Sequence, residues 1–330
     1  MTDPIIEVRD LRREFLVRGT SGRWLRRART VVKAVDGLTF SIPEGAAVGY
    51  LGANGAGKST TIKMLSGILV PTSGVAHTCG LEPVRDRSRL ARQIGVVFGQ
   101  RSQLWWDLPL SESFRVLGAI HRLSPAAQAR RTDELIERLD LGGFISTSVR
   151  QLSLGQRIRG EVAAALLHSP RLLILDEPTI GLDVLSKERL RNFLVEQRQL
   201  RGTSLLLATH DMGDVQRLTE RVIVVDHGRS VYDGTLPGIA ELVGAERIMV
   251  VQLAAPVPPL DHIPDTRLVG VEREGTQQRL SFVPAETTAA RILELVGQHA
   301  QVQDLTLEEP DIDDVIRKLY LRTAEESVQS

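Results

Sequence analysis

Ile6 and Val8 alternate with Glu7 and Arg9, a pattern that predicts a half-buried strand over 5–11. Residues 38–42 alternate in the same way and run into Pro43-Glu44-Gly45, a turn. Residues 46–51 are almost continuously apolar and read as a buried strand leading into glycine-rich sequence. Shorter apolar runs at 94–98, 172–175, 204–208 and 222–225 read the same way. Helical stretches separate them. Ser124-Pro125 supplies an N-cap and a proline at the first helical position, ahead of Leu135, Ile136 and Leu139. Further helices are expected from about Ser59, over 156–167 and over 185–200. Strands alternating with helices predict an α/β core with a mostly parallel sheet. After Gly234 the pattern changes. Strand-like runs at 248–253, 280–283 and 302–307 surround a proline-marked loop (Pro256, Pro258, Pro259, Pro264). Ile312, Val315, Ile316 and Leu319 then form one apolar helix face. A small α+β domain over 241–330 is expected, with the larger domain at 1–240.

Composition narrows the function classes. The 330 residues are 42% hydrophobic and 25% charged, enough to bury a core. Lys+Arg and Asp+Glu are both 41, so net charge gives no support for a protein that coats nucleic acid. The one cysteine, Cys79, excludes an internal disulfide and a cysteine-cluster metal site, and fits a reducing compartment. No apolar run approaches the ~20 residues needed to span a bilayer. The first ten residues lack the basic and apolar regions of a signal peptide. A cytoplasmic chain is expected, and any membrane crossing falls to another chain.

Two motifs carry chemistry. Gly52-Ala53-Asn54-Gly55-Ala56-Gly57-Lys58-Ser59 fits G-x-x-x-x-G-K-[ST] at every specified position, and Thr60 follows. A strand delivers such a loop, its glycines turn backbone N–H groups around an anion, and the next helix adds the positive end of its dipole. Lys58 can reach the terminal phosphates of a nucleotide, and Ser59 can ligate Mg²⁺. The second motif is the apolar run 172–175 ending in Asp176-Glu177. It would set Asp176 beside the magnesium and Glu177 where it could polarise an attacking water.

With these in place, residues 5–240 resemble the nucleotide-binding cassette of ABC-type transporters. Gln100 is similar to the glutamine that contacts Mg²⁺ and senses the γ-phosphate. Leu152-Ser153-Leu154-Gly155-Gln156 resembles the signature, usually Leu-Ser-Gly-Gly-Gln, with Leu154 in place of a glycine. Gly181-Leu182-Asp183 resembles the D-loop, and His210 the switch histidine. Phe15 is the positional match for the aromatic that stacks on adenine. The resemblance implies a P-loop NTPase cassette with an antiparallel β edge and a helical subdomain at about 110–165. It implies a head-to-tail dimer in which ATP and Mg²⁺ lie between the Lys58 loop of one chain and Ser153, Gly155, Gln156 and Asp183 of the other. Ser59, Gln100 and Asp176 would organise Mg²⁺, Glu177 would be the base, and His210 would position the γ-phosphate. A homodimer or paired ATPase would then drive a separate transmembrane permease from the inner membrane face, with no nucleic acid involved. The wording around Gln100 and after Glu177 is similar to exporters of drugs, lipids or polysaccharides. An importer ATPase and a soluble ATPase of DNA repair or translation are the alternatives. The second lacks support in coiled-coil insertions, zinc cysteines or a second phosphate loop. A GTPase is not supported, since Asn-Lys-x-Asp is absent.

Two segments stand apart. Arg18 to Lys33 looks like an insertion. It carries Arg18, Arg23, Arg26, Arg27, Arg29 and Lys33, with no acid between Phe15 and Val35. It reads either as a solvated loop or as a surface for anionic lipid or an acidic partner loop. Trp24 within it is a rival adenine platform. Adjacent Trp105 and Trp106 cannot both point inward from an extended segment, so at least one is expected at the surface as a partner anchor; the alternative is that a helical turn or neighbouring loop covers both and they pack as core.

Overall fold

The structure, a computed structural model, describes residues 4–18, 29–99 and 102–328. It contains two compact units, Met1–Asp233 and Gly234–Ser330. In the first, β1 (Pro4–Arg18) and β2 (Arg29–Pro43) precede β3 (Ala47–Gly52), α1 (Lys58–Leu65) and β4 (Ser73–Thr78). Then come α2 (Arg87–Leu90), β5 (Ile94–Val97), α3 (Leu110–Ile120), α4 (Pro125–Arg138) and α5 (Leu154–Leu166). The unit finishes with β6 (Leu172–Asp176), α6 (Val184–Arg201), β7 (Ser204–Ala208), α7 (Met212–Leu218), β8 (Arg221–Asp226) and β9 (Arg229–Gly234).

Six strands in the order β5-β6-β7-β3-β8-β9 make the central sheet, parallel from β5 through β8. β6 and β7 are buried along nearly their whole length, which explains why they read as unbroken apolar runs. The second sheet, β2-β1-β4, is antiparallel. Ile6, Val8, Phe40 and Ile42 from it join Val48, Tyr50, Ile174 and Leu206 in one core. A second core packs Phe114, Leu117, Leu135 and the small-residue face Val162–Ala165 of α5 under Leu173 and Leu207. Ser124 caps α4 as expected, accepting from the Ala127 N–H at 3.3 Å.

The segment expected to be an insertion is partly strand. β1 and β2 stay paired from Phe15↔Val32 to Arg18↔Arg29, and residues 19–28, with Trp24, Arg23, Arg26 and Arg27, lie outside the described residues. Leu16, Val17, Val31 and Val32 are all exposed on this ribbon. With neither face buried, nothing selects the alternation by which a strand is read from sequence. β4 also escaped sequence reading, because its Ser73-Gly74-Val75 half is exposed.

In the second unit, α8 (Leu236–Leu242) leads to a four-stranded antiparallel sheet ordered β11-β12-β10-β13. Its strands are β10 (Arg247–Leu253), β11 (Arg267–Glu272), β12 (Gln277–Phe282) and β13 (Val302–Glu308). Ile292 and Val296 of α9 (Ala289–Gly297) pack on Met249, Val251, Leu280 and Phe282. Val315, Ile316 and Leu319 of α10 (Ile312–Val328) are buried, as their spacing predicts. Among the described residues no helix is long and apolar enough to cross a membrane.

Candidate active site

Four neighbouring strands, β5, β6, β7 and β3, carry the predicted residues at their carboxyl ends. β3 ends at Gly52 and opens the glycine loop, β6 ends at Asp176-Glu177, and β7 ends at Thr209-His210. β5 leads through Phe98 and Gly99 to Gln100, which lies outside the described residues. Parallel α/β sheets collect ligands at this end because their helix N-termini and loops converge there.

The loop closes on itself. The Lys58 ammonium donates to the carbonyls of Gly52 at 2.5 Å and Ala53 at 3.2 Å. Gly57 has φ +101°, and a Cβ on it would lie 2.3 Å from the Ala34 carbonyl oxygen, so only glycine fits. Ala34 is held there by a bulge. The pairing steps from Arg13↔Val35 to Glu14↔Lys33 and leaves Ala34 as the extra residue. Ala53, Asn54, Gly55, Gly57, Lys58, Ser59 and Thr60 line a cavity of about 410 Å³, together with Asp176 and Glu177. That is within the ~300–1,000 Å³ usual for ligand sites. Gly52 and Ala56, also expected at the site, do not line the cavity, and Ala56 is buried. Ala34, Lys63 and Phe98 also line the cavity and were not identified from sequence. Lys63 sits one turn after Ser59 on α1, a periodicity that could have found it. Ala34 depends on a bulge that no sequence signal announces.

Burial pulls the Lys58 ammonium below its ordinary pKa, opposed by the charges of Glu177 and Asp176. Asp176 is pushed up by burial and then by the Glu177 charge, while the Ser59 hydroxyl donates to it at 3.3 Å and opposes the shift. The chain leaves β6 at Glu177 with φ +55°, a left-handed backbone that costs of order 1–3 kcal/mol in a non-glycine residue. The Glu177 N–H donates to the Ala208 carbonyl at 2.8 Å, tying this turn to β7. Its carboxylate Oε2 meets His210 Nδ1 at 2.9 Å and accepts from the Thr209 hydroxyl at 3.2 Å. A carboxylate fixed by two neighbours and facing the phosphate loop can take a proton from a water there.

Ser153, Gly155, Gln156 and Asp183 do not line this cavity. Ser153 caps the thirteen-residue α5 in a reciprocal capping box. Its hydroxyl accepts from Gln156 N at 3.2 Å, and its own N–H donates to Gln156 Oε1 at 2.9 Å. Asp183 caps α6 in one direction only: its carboxylate accepts from the Ser186 N–H at 2.9 Å and from the Ser186 hydroxyl at 2.6 Å. The leucine in the signature has a place of its own. Gly181 has φ +72°, and a Cβ there would lie 2.4 Å from Leu154 Cδ2, so Leu154 occupies the side-chain space that Gly181 leaves open. Thr179 in turn donates to the buried Asp214 at 2.6 Å, fastening this loop to α7. Phe15 is not in the cavity lining; the Arg13 guanidinium lies 4.6 Å over its ring. Trp105 and Trp106 are 37% and 52% exposed, so neither is core.

Known proteins resemble this chain in sequence and in fold. The ABC transporter family profile matches residues 35–180. A daunorubicin resistance ATP-binding protein of Streptomyces coeruleorubidus is 34% identical over 296 residues, 87% of this chain and 91% of that protein. A Nod factor export ATP-binding protein of Paraburkholderia xenovorans is 38% identical over 230 residues, 68% of this chain and 72% of that protein. A solved ATP-binding subunit of an ABC transporter superposes with a TM-score of 0.62 at 29% identity, covering 73% of this chain and 93% of that one. A dimeric ATP-binding cassette bound to ADP and Pi shares the fold, with a TM-score of 0.61 at 24% identity, covering 70% of this chain and 98% of that one. The chain belongs to the ATP-binding proteins of ABC transporters and is an ATPase.

Proposed function

We propose that two copies of this ATPase pair head to tail and drive a separate membrane permease in the export direction. ATP and Mg²⁺ would lie between the Lys58 loop of one copy and the Ser153 helix N-terminus of the other. The observation that carries the chemistry is the Glu177 carboxylate, held by His210 and Thr209 and facing the cavity that Lys58 and Ser59 line. Glu177 accepts a proton from the water that attacks the γ-phosphorus. The bond to the β–γ bridging oxygen breaks, and ADP leaves. With Nδ1 on the carboxylate, His210 keeps Nε2 for the γ-phosphate, and its side chain is 79% exposed toward solvent or a second copy. Phe15 would stack on adenine, its other face taken by Arg13.

The Ser59 hydroxyl and Asp176 carboxylate are hard oxygen donors that suit Mg²⁺, and Gln100 would add an amide oxygen. When bound, the cation would neutralise charge on the phosphate oxygens. Among the described residues no group of three or more His, Cys, Asp and Glu could hold a metal alone.

Support for the pairing comes from residues outside the cavity. Ser153, Gly155 and Asp183 sit at helix N-termini, and Leu154, Ile180, Val184 and Leu185 around them are exposed apolar side chains. The export direction rests on the drug-resistance and Nod factor export relatives. The ATPase would work on the inner membrane face, with Trp105 and Trp106 toward the permease. Affinity purification of the full chain from its native membranes should bring down a polytopic membrane protein. Trp106→Ala should lower that yield without changing nucleotide affinity. Recovery of the chain alone, with or without Trp106, would count against the reading.

A further inference from the structure

Glu161 is a carboxylate on α5, 6% exposed, that the hydrolysis chemistry does not use. It points at the segment that begins two residues after Gln100. The Ser102 hydroxyl donates to Glu161 Oε1, and the Gln103 N–H donates to Oε2 at 3.2 Å. The Gln103 side-chain amide donates to the Glu161 backbone carbonyl at 3.0 Å. Ser102 also organises its own segment, accepting from Leu104 N at 3.1 Å. Leu104 is buried in the core beneath α5. One turn earlier on the same helix face, the Arg157 guanidinium lies 5.4 Å from the Trp106 ring centroid. Residues 157 and 161 therefore grip 102–106 from one side of the helix that Ser153 caps.

A buried carboxylate is costly unless it is hydrogen-bonded, and burial does push Glu161 upward, against the bonds from Ser102 and Gln103 and the Arg157 charge. A helix that needed only packing here would be served by the alanines that follow at 163–165. We propose that Glu161 is a positioning residue: it fastens the segment after Gln100 to the helix whose N-terminus presents Ser153, so that the two move as one body. A change at Gln100 on nucleotide binding, or at Trp105 and Trp106 on partner docking, then reaches Ser153 through hydrogen bonds rather than through loose packing. This rests on the head-to-tail reading above, in which Ser153 meets the nucleotide of a second copy.

The test uses the full chain carrying Glu177→Gln, with ATP and Mg²⁺. Dimer fraction is followed by sedimentation, and monomer nucleotide affinity by a fluorescent ATP analogue. Adding Glu161→Ala should raise the ATP concentration needed for dimerisation by about fivefold or more, the equilibrium worth of one or two lost hydrogen bonds. Monomer nucleotide affinity should stay within about twofold, because the phosphate loop is untouched. Glu161→Gln keeps an acceptor in the same space and should recover most of the loss. Ser102→Ala removes one of the two bonds to the Glu161 carboxylate, together with the local bond from Leu104 N, leaves the helix intact, and should fall between. An unchanged dimerisation midpoint in Ser102→Ala and Glu161→Ala overturns the proposal, and so does a parallel fall in monomer affinity. If Glu161→Ala does not fold, the midpoint of Ser102→Ala decides alone. If Glu177→Gln itself stays monomeric at saturating ATP, the head-to-tail reading fails and this inference falls with it.

Discussion

Acid should loosen the ATPase unit through one histidine pair. His121 caps the C-terminus of α3, and His168 follows the end of α5. Their rings stack with centroids 3.8 Å apart and planes at 6°. His168 Nε2 meets the Ile94 carbonyl at 2.9 Å, while neither Nδ1 has a hydrogen-bond partner among the described residues. Burial, followed by the neighbouring His121, brings His168 down from 6.5 to about 4, with Arg131 adding to the effect. Burial and Arg92 lower His121 as well. Because the folded-state value lies below the unfolded one, the unfolded chain takes up the proton first. The contribution is fully present above about pH 6.5 and is lost as the pH falls toward 4. From about pH 7.5 to pH 5 the shift at His168 corresponds to a loss of about 2 kcal/mol. Urea unfolding followed by tryptophan emission measures this in the full chain, since all three tryptophans (Trp24, Trp105, Trp106) lie in the first unit. His168→Gln stays neutral and can still donate to Ile94. Its stability should therefore fall less on acidification, closing about 2 kcal/mol of difference from the wild type by pH 5. Parallel pH dependences in the two proteins would refute the reasoning.

Two further outcomes follow from the nucleotide site. Gly57→Ala forces a Cβ against the Ala34 carbonyl at a positive φ. It should weaken nucleotide binding by about tenfold or more and cost about 1–3 kcal/mol of stability, read by calorimetry and urea unfolding. Phe15→Ala should weaken ATP binding by about 1–3 kcal/mol, the range for base–aromatic stacking, while Trp24→Ala should not. The reverse result, measured by fluorescent nucleotide titration, would move the adenine platform to Trp24.

The sheet strands were legible where burial on both faces left unbroken apolar runs, and Ser204–Ala208 was read to the residue. The phosphate loop was legible because its chemistry demands fixed spacing, and β3 and α1 flank it as that chemistry requires. The extension of β1 and β2 past Phe15 was not, because Leu16, Val17, Val31 and Val32 bury no face. Ala34 and Phe98 enter the cavity through a bulge and a strand end, which are tertiary facts without a local signature. The leucine in the signature looked like a departure in sequence. In space it fills the volume that Gly181 leaves open, and only the fold brings residues 154 and 181 together. Glu161 was invisible for the same reason: an acid among alanines gains its meaning from Ser102 and Gln103, which the chain folds back to meet it.

Steady-state hydrolysis of ATP with Mg²⁺ by Glu177→Gln tests the account at its centre. The carboxamide keeps the shape of Glu177 but cannot take a proton from water. The variant should bind ATP with wild-type affinity and hydrolyse it about 10²–10⁴-fold more slowly, the usual worth of a general base. Hydrolysis at near the wild-type rate would contradict the assignment of Glu177 as the base and the mechanism built on it.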